Sequence, residues 1–414
     1  MQDMYAQGKL CKEASYELAL KTSNEKNEAL KKIAKQLNDN MNIILEANQK
    51  DITMARLNNK EEAFIDRLAL NKQRIEDIID GVIQVCALKD PCGNILDTWD
   101  RDELHFIKKS VPIGVIGIIY EARPNVSVDA ASLCLKSGNV CYLRGSKDAI
   151  ETNKVLVSLM RNALLESGFN ENAIALVEDT SYEAANAFMK MKESLDLLIP
   201  RGSAKLIKTC VDNASVPIIE TGSGNCHIYI DQNIDIEKVI PIVINAKCQR
   251  ISVCNACESL LIHQAIKDKV LPPLLQALKE NHVKIHGDDK VCAFDADVIL
   301  ANEEDYAKEY LDYEISIKIV EDIKEAIQHI NHYHTMHSDA ILSENSQSIE
   351  TFMNGIDSAV VYANASTRFS DGNEFGLGAE IGISTQKIHA RGPMGLEALT
   401  TYKYLVYGKN TIRK

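Results

Sequence analysis

A chain of 414 residues that is 45% hydrophobic and 25% charged, with nine prolines, has an ordinary globular composition and material for about two to three domains, which excludes disorder over most of its length. Its formal net charge of −13 repels phosphate backbones and anionic lipid, and with no strong basic patch in view, nucleic acid and membrane surfaces are excluded as partners. The opening residues, MQDMYAQGKLCKEASYELAL, lack the apolar core of a secretory signal, and no apolar run reaches the roughly 18 residues that span a bilayer, so a cytoplasmic location is expected.

From about residue 12 to 90 the pattern is helical, with Ala29, Leu30, Ile33, Ala34 and Leu37 on one face behind a Thr22-x-x-Glu25 capping-box match. After Asp97 the character changes. Residues 104–111 read as a polar strand, 113–120 (IGVIGIIY) as a buried strand, 126–136 as a helix stopped by Gly138, and 140–143 as a strand. Helix 148–166 leads to strand 173–177, helix 181–191 to strand 195–199, and helix 204–212 to strand 216–220. Repeated strand–helix–strand units imply a doubly wound parallel sheet with helices on both faces. A second α/β stretch runs from about 232 to 395, with strands near 260–263, 315–320, 339–342 and 359–362. Residues 402–407 (YKYLVY) and 104–111 look like strands without a partner nearby in sequence; such edges often pair across subunits, so a homo-oligomer is expected. The division expected is 1–97 and 112–231 for the N-terminal helices and a dinucleotide-binding domain, 232–395 for a second α/β domain, and 98–111 with 396–414 for a small oligomerisation β-element.

Doubly wound sheets bind ligands where loops leave the carboxyl ends of the strands. The first such loop, Glu121-Ala-Arg-Pro-Asn125, opens a helix, so Asn125 is either its N-cap or an amide aimed at an oxyanion. The second, Arg144-Gly-Ser-Lys147, offers two cations and a hydroxyl where an NAD enzyme would place its ribose acid, which suits a 2′-phosphate; a solvated charge cluster is the plain alternative. In the third, Pro200-Arg-Gly-Ser-Ala-Lys205, backbone N–H groups at 202–204 would point at a pyrophosphate, although no G-x-G-x-x-G fingerprint is present. Glu220, at the end of the next strand, is a surface acid or one aimed into a cleft. Eleven cysteines without a signal peptide favour free thiols in a reducing compartment. Cys254 and Cys257 form a C-x-x-C that lacks a second pair to complete a zinc site and lacks a thioredoxin-like setting, which favours Cys254 as a single nucleophilic thiol with Lys247 and Arg250 near in sequence. His329, His332, His334 and His337, followed by Asp339, are either metal ligands or residues of a helix end.

Five longer stretches follow one another along the chain: VPIGVIGIIYEARPNVSVDAA (111–131), LLIPRGS (197–203), IIETGSGNCHIYID (218–231), VCNACESLLIH (253–263) and RFSDGNEFGLGAEIGISTQKIHARGPMGLEALTTYKY (368–404). On these stretches the chain resembles the gamma-glutamyl phosphate reductases, a branch of the aldehyde dehydrogenase superfamily, over nearly its whole length. The resemblance implies an aldehyde dehydrogenase-like α/β fold with Cys254 as nucleophile, Asn125 as oxyanion donor and Glu220 at the place of the glutamate that activates water in hydrolytic relatives. It places Arg144, Gly145, Ser146 and Lys147 at the adenosine-ribose site of NADP(H), and Arg201, Gly202 and Ser203, with Gly222, at the rest of the cofactor. Arg123, Arg250, His337, Arg368 and Arg391 lie in matched loops as candidates to hold the substrate's anionic groups, and no metal is implied. This sequence departs from the family pattern at His334, normally Gly or Ser, and at Ile251, commonly proline. The implied reaction is reduction of L-glutamyl 5-phosphate by NADPH to glutamate 5-semialdehyde in proline biosynthesis, with room for a transient contact with glutamate 5-kinase. The rivals are a hydrolytic NAD(P)-dependent aldehyde dehydrogenase using Glu220 as base, and a metal or redox sensor built on Cys254, Cys257 and the histidines.

Overall fold

The computed structural model describes residues 2–413. It opens with five helices, α1 (Gln2–Leu18), α2 (Ser23–Asp39), α3 (Met41–Leu57), α4 (Glu62–Leu68) and α5 (Lys72–Ala87). The capping box in front of α2 is made on both sides, and α2 buries Ala29, Leu30, Ile33, Ala34 and Leu37. Next come β1 (Ile95–Arg101), β2 (Leu104–Pro112), β3 (Val115–Tyr120), α6 (Asn125–Lys136), β4 (Val140–Arg144), α7 (Ile150–Glu166), β5 (Ile174–Leu176), α8 (Tyr182–Phe188), β6 (Leu197–Arg201) and α9 (Ala204–Asn213). They are followed by β7 (Cys226–Ile230), α10 (Ile236–Cys248), β8 (Cys257–His263), α11 (Lys267–Glu280), β9 (Lys284–Gly287), α12 (Asp289–Cys292), β10 (Ile299–Leu300) and α13 (Glu303–Ala307). The chain ends with β11 (Glu314–Val320), α14 (Ile323–Tyr333), β12 (Ser338–Leu342), α15 (Ser346–Gly355), β13 (Val360–Ala363), β14 (Ile383–Ser384), β15 (Gly392–Pro393) and β16 (Thr400–Tyr407). No helix among the described residues is long and apolar enough to cross a membrane.

Two compact units result, the first taking the chain up to Thr221 with Gly376–Gly382 and everything from Met394 onward, the second taking Gly222–Phe375 and Ile383–Pro393. In the first unit a parallel sheet runs β5-β4-β3-β6, so strand order reverses between β3 and β6 and a crevice opens at their carboxyl ends. Every residue of β3 is buried, as expected of a central parallel strand. The start of β3 is tied down by Asp196, whose carboxylate accepts from Lys12 Nζ at 2.6 Å and from the Val115 N–H at 2.8 Å. Gly114, at φ 134°, makes room for it, since a Cβ there would fall 2.2 Å from Asp196 Oδ2.

Two expectations fail in this unit. The strand expected over 216–220 shrinks to a bridge in which Leu198 donates to the Pro217 carbonyl and Ile219 donates to Leu198, because Pro217 has no N–H with which to extend the ladder. The strand over 104–111 has a neighbour in sequence after all: β1 pairs antiparallel with β2 across a turn at Asp102 (φ 54°), and β16 pairs along the other edge of β2. All seven residues of β1 are exposed, so its sequence, ILDTWDR, carries no buried-face alternation to read.

The second unit is built on a seven-stranded parallel sheet of order β10-β9-β11-β8-β7-β12-β13. Apolar side chains cover both faces, Leu260, Leu271 and Leu274 on one and Tyr229, Leu261 and Phe352 on the other. The fully buried β7 lies between β8 and β12, so 222–231 fold with this sheet rather than with the first unit, where the sequence division had put them. Within its core Lys247 of α10 and Glu258 of β8 meet at 2.5 Å with no exposed side-chain surface, and burial pushes the Glu258 carboxyl up to about 7. Removing one partner strands the other, so Lys247→Met is expected to destabilise the protein by about 3–5 kcal/mol, and Lys247→Met with Glu258→Leu to recover most of that loss. Urea midpoints followed by circular dichroism check both.

Candidate active site

In the first unit the loops that leave β3 and β6 meet. The Glu121 N–H donates to the Arg201 carbonyl, and the Glu121 carboxylate accepts from the Ser203 N–H at 2.7 Å and from Ser203 Oγ at 3.0 Å. Gly202 permits this, because a Cβ there would lie 2.6 Å from Glu121 Oε2. Asn125 is the first residue of α6 and Pro124 takes the cap position, so the Asn125 amide does not cap the helix; its Nδ2 donates to Asp129 Oδ2 at 2.9 Å. Burial pushes the Asp129 carboxyl up to about 6, against the lowering effects of that hydrogen bond and of the Arg201 charge. The helix start is fixed from below, where Tyr120 and Ser127 share a 2.6 Å hydrogen bond and Ser127 Oγ donates to Asn153 at 2.9 Å.

In the second unit Cys254, half-buried and in no disulfide, precedes β8 in a loop held on two sides. On one side a Cβ at Gly224 would fall 1.4 Å from the Cys254 carbonyl oxygen, so the two backbones touch in a way only glycine allows. The Gly224 N–H donates to Glu309 Oε1 at 2.6 Å, the Asn225 N–H to Thr335 Oγ1 at 3.0 Å, and the Cys226 thiol to the Cys254 carbonyl at 3.2 Å. On the other side Asn255 accepts from Thr367 Oγ1 at 2.7 Å and donates to the Ser370 and Arg368 carbonyls. Arg368 is thereby held within electrostatic reach of the thiol and of Arg250; burial draws its guanidinium below the usual value, the Arg250 charge acts the same way, and Asp371, then Cys254 and Cys226, oppose both. Its Nε donates to Gln249 at 3.1 Å, which aims the rest of the fork outward. A half-buried thiol in the electrostatic reach of a guanidinium group can attack a carbonyl carbon, with a cation nearby for an anionic leaving group.

The aldehyde dehydrogenase family profile matches residues 3–296. The gamma-glutamyl phosphate reductase of Clostridium botulinum (strain Alaska E43 / Type E3) is 50% identical over 414 residues, covering 100% of both chains, and that of Bacillus cereus (strain AH187) is 48% identical over 415 residues, again covering 100% of both. The crystal structure of the gamma-glutamyl phosphate reductase of Thermotoga maritima superposes with a TM-score of 0.97 at 46% identity, covering 99% of each chain. The chain belongs to this family. Its fold is the α/β fold of the aldehyde dehydrogenases, and the family uses a nicotinamide dinucleotide.

Against that family the residues singled out in the sequence fall into three groups. In the second unit Arg368 is within electrostatic reach of Arg250 and Cys254, and in the first Asn125, Arg201, Gly202 and Ser203 lie at the carboxyl ends of β3 and β6. Others are committed elsewhere. The Arg144 guanidinium donates to the Thr180 and Ser181 carbonyls ahead of α8, and Gly145 is hemmed by Asn153 and Tyr120. Ser146 accepts from the Asp148 N–H, Gly222 lies against Thr385, and Arg391 is paired with Asp357 at 3.1 Å. His337 is a correction: it is fully buried, bonded to Ser338 Oγ at 2.8 Å, and held down at about 4 by burial, so it is neutral and presents no charge to an anion. Of the other histidines, His334 bonds to Asp339 and Ser358, and His329 packs against Tyr306 and Tyr333. Lys147 and Arg123 are exposed and Glu220 is half-buried. Glu121, Asp129 and Glu309 escaped the sequence reading; an acid directly after a strand, as Glu121 is, was the one available signal. Gly224→Ala is expected to displace the Cys254 loop and lower kcat by about 10²-fold, the scale of a 1 Å misplacement, with a changed rate of Cys254 alkylation by iodoacetamide as the structural readout.

Proposed function

We propose that this chain reduces L-glutamyl 5-phosphate with NADPH to L-glutamate 5-semialdehyde and phosphate through a thioester on Cys254, the second step of proline biosynthesis. The observation that supports the reading is that Arg368 lies within the electrostatic reach of both Arg250 and the Cys254 thiol. A hydrolytic aldehyde dehydrogenase releases no anion that needs two cations there, whereas an acyl phosphate releases a dianion. The Cys254 thiolate forms a bond to the acyl carbon as the carbon–oxygen bond to phosphate breaks, and Arg250 and Arg368 take the departing charge. Asn125 and the Cys254 N–H steady the oxyanion, each such donor worth roughly 10²–10³ in rate. The nicotinamide cofactor supplies a hydride. Cys254 then leaves as thiolate when the thiohemiacetal collapses to the aldehyde.

Preference for NADPH has support at the end of β4. Lys147 and Lys50 of α3 line a cavity of about 310 Å³, and neither forms an ion pair among the described residues. The acids around that cavity are engaged: Asp51 by the Thr152 N–H at 2.8 Å, Asp148 by Lys60 at 3.5 Å and Glu151 by Lys154 at 3.7 Å. The two lysines are therefore the uncommitted charges, and they suit the 2′-phosphate. A homo-oligomer formed through β1, β2 and β16, with Trp99, Tyr402 and Tyr404 exposed on them, is part of the same reading, as is a cytoplasmic setting.

With glutamate 5-semialdehyde and NADP⁺, reduction of the nucleotide is expected to require inorganic phosphate; turnover undiminished without phosphate would mark a hydrolytic enzyme. Arg250→Ala and Arg368→Ala should each raise the KM for phosphate roughly 10- to 100-fold, the worth of one hydrogen bond to a charged group. Lys50→Ala and Lys147→Ala should narrow the ratio of kcat/KM for NADPH over NADH, and an unchanged ratio in both would move the 2′-phosphate elsewhere.

A further inference from the structure

We propose that Asp129 is a positioning residue: its carboxylate holds the Asn125 side-chain amide by its NH₂ side and so fixes the orientation in which that amide works. The inference rests on the reading of Asn125 as the oxyanion donor. The two residues are four apart on α6, where side chains lie over one another, and Asn125 Nδ2 donates to Asp129 Oδ2 at 2.9 Å. A carboxylate only accepts, so it bonds the NH₂ side of the amide and never the Oδ1 side, which selects one of the two orientations a terminal amide can take. The support beneath is rigid, through Tyr120, Ser127 and Asn153. Arg201, at the end of β6, is the charged side chain whose field reaches Asp129, and Tyr120, fully buried, stays neutral because burial drives its hydroxyl pKa far up.

A structural role alone explains the carboxylate poorly. Its carboxyl is pushed up to about 6, so the folded state favours the protonated form and any stability contributed by that form is lost as pH rises from the ordinary carboxylate range through 6. Asparagine or leucine would avoid that cost. An acid kept where burial opposes its charge, one helical turn from an amide implicated in the chemistry, is an acid in use.

The test is steady-state kinetics of the full-length enzyme with glutamate 5-semialdehyde, NADP⁺ and phosphate, from about pH 5 to 9. In Asp129→Asn the new amide can donate or accept, so both Asn125 orientations are populated. kcat should fall roughly 10- to 100-fold, part of what an oxyanion donor is worth, with KM within about twofold. In the wild type kcat should drop as pH falls through about 6, where Asp129 gains its proton, and Asp129→Asn should lack that limb. Asp129→Glu keeps an acceptor-only group and should keep the limb. The double variant Asn125→Ala/Asp129→Asn should be no slower than Asn125→Ala alone. Wild-type kcat in Asp129→Asn, a change confined to KM, or losses that add in the double variant would overturn the proposal. A wild-type kcat in Asn125→Ala would instead bring down the oxyanion reading, and this proposal with it. Melting temperatures equal to wild type exclude misfolding as the cause.

Discussion

The Cys254 carbonyl lies where a side chain at position 224 would have to be, and much of the second unit is arranged to keep it there. Gly224 is two residues ahead of β7 and Cys254 three ahead of β8, and those strands are paired neighbours, Cys226 opposite Cys257 with a register shift before His227. The nucleophile is thus placed by the main-chain ladder of a seven-stranded sheet, a far stiffer support than a surface loop offers. Glu309 and Thr335 hold one flank through the N–H groups of Gly224 and Asn225, and Thr367 and Ser370 hold the other through Asn255. Because Asn255 also bonds the Arg368 carbonyl, the clamp that places the thiol places the guanidinium beside it.

Behind that loop lies a group of buried polar side chains, most of them hydrogen-bonded to one another. The Asp339 carboxylate, with no exposed surface, accepts from the His227 N–H at 2.7 Å and bonds His334 and Ser358; burial pushes it up, but the His227 and His334 side chains hold it well below the usual carboxylate range. Ser338, Ser370 and Tyr362 form a second chain of hydroxyls, joined to His337. A network like this specifies one arrangement of β7, β12 and the turn carrying Arg368, since each member left alone would be a buried unpaired group. The net charge of −13 bears on the same point. In an acidic protein an anionic substrate is held by a few cations outside close ion pairs, and Arg250, Arg368, Lys50 and Lys147 form none among the described residues, although the Asp371 charge reaches Arg368, whereas Arg391 and Arg161 are paired.

How much of this the sequence disclosed depends on whether the signal was local. The apolar face of α2, the buried run of β3 and the alternation of strands and helices after Tyr120 were legible because burial writes a period into the sequence. The strand β1 was not, since both its faces are exposed, and the domain boundary drawn at 231 put β7 with the first unit because five buried residues do not say which sheet buries them. Cys254 stood out by chemistry and by resemblance, but its placing beside Arg368 crosses more than a hundred positions and no pattern announces it. His337 misled for the complementary reason: a histidine in a matched loop reads as a cation until its surroundings are known, and full burial makes it neutral.

The Arg201-Gly202-Ser203 loop shows a third relation between sequence and structure. A glycine and a capping serine after a strand, opening a helix, were read as a site for an anion, and that physics holds: exposed N–H groups at a helix start draw negative charge. The occupant in the structure is the protein's own Glu121, whose carboxylate takes the Ser203 N–H and hydroxyl through the gap left by the missing Gly202 side chain. Glycine at 202 is explained by that internal contact without any ligand. Short motifs of this kind specify the charge of what will bind and the closeness of its approach, but leave open whether it comes from solution or from a neighbouring strand. Only the strand order, which puts the end of β3 beside the end of β6, decides between them.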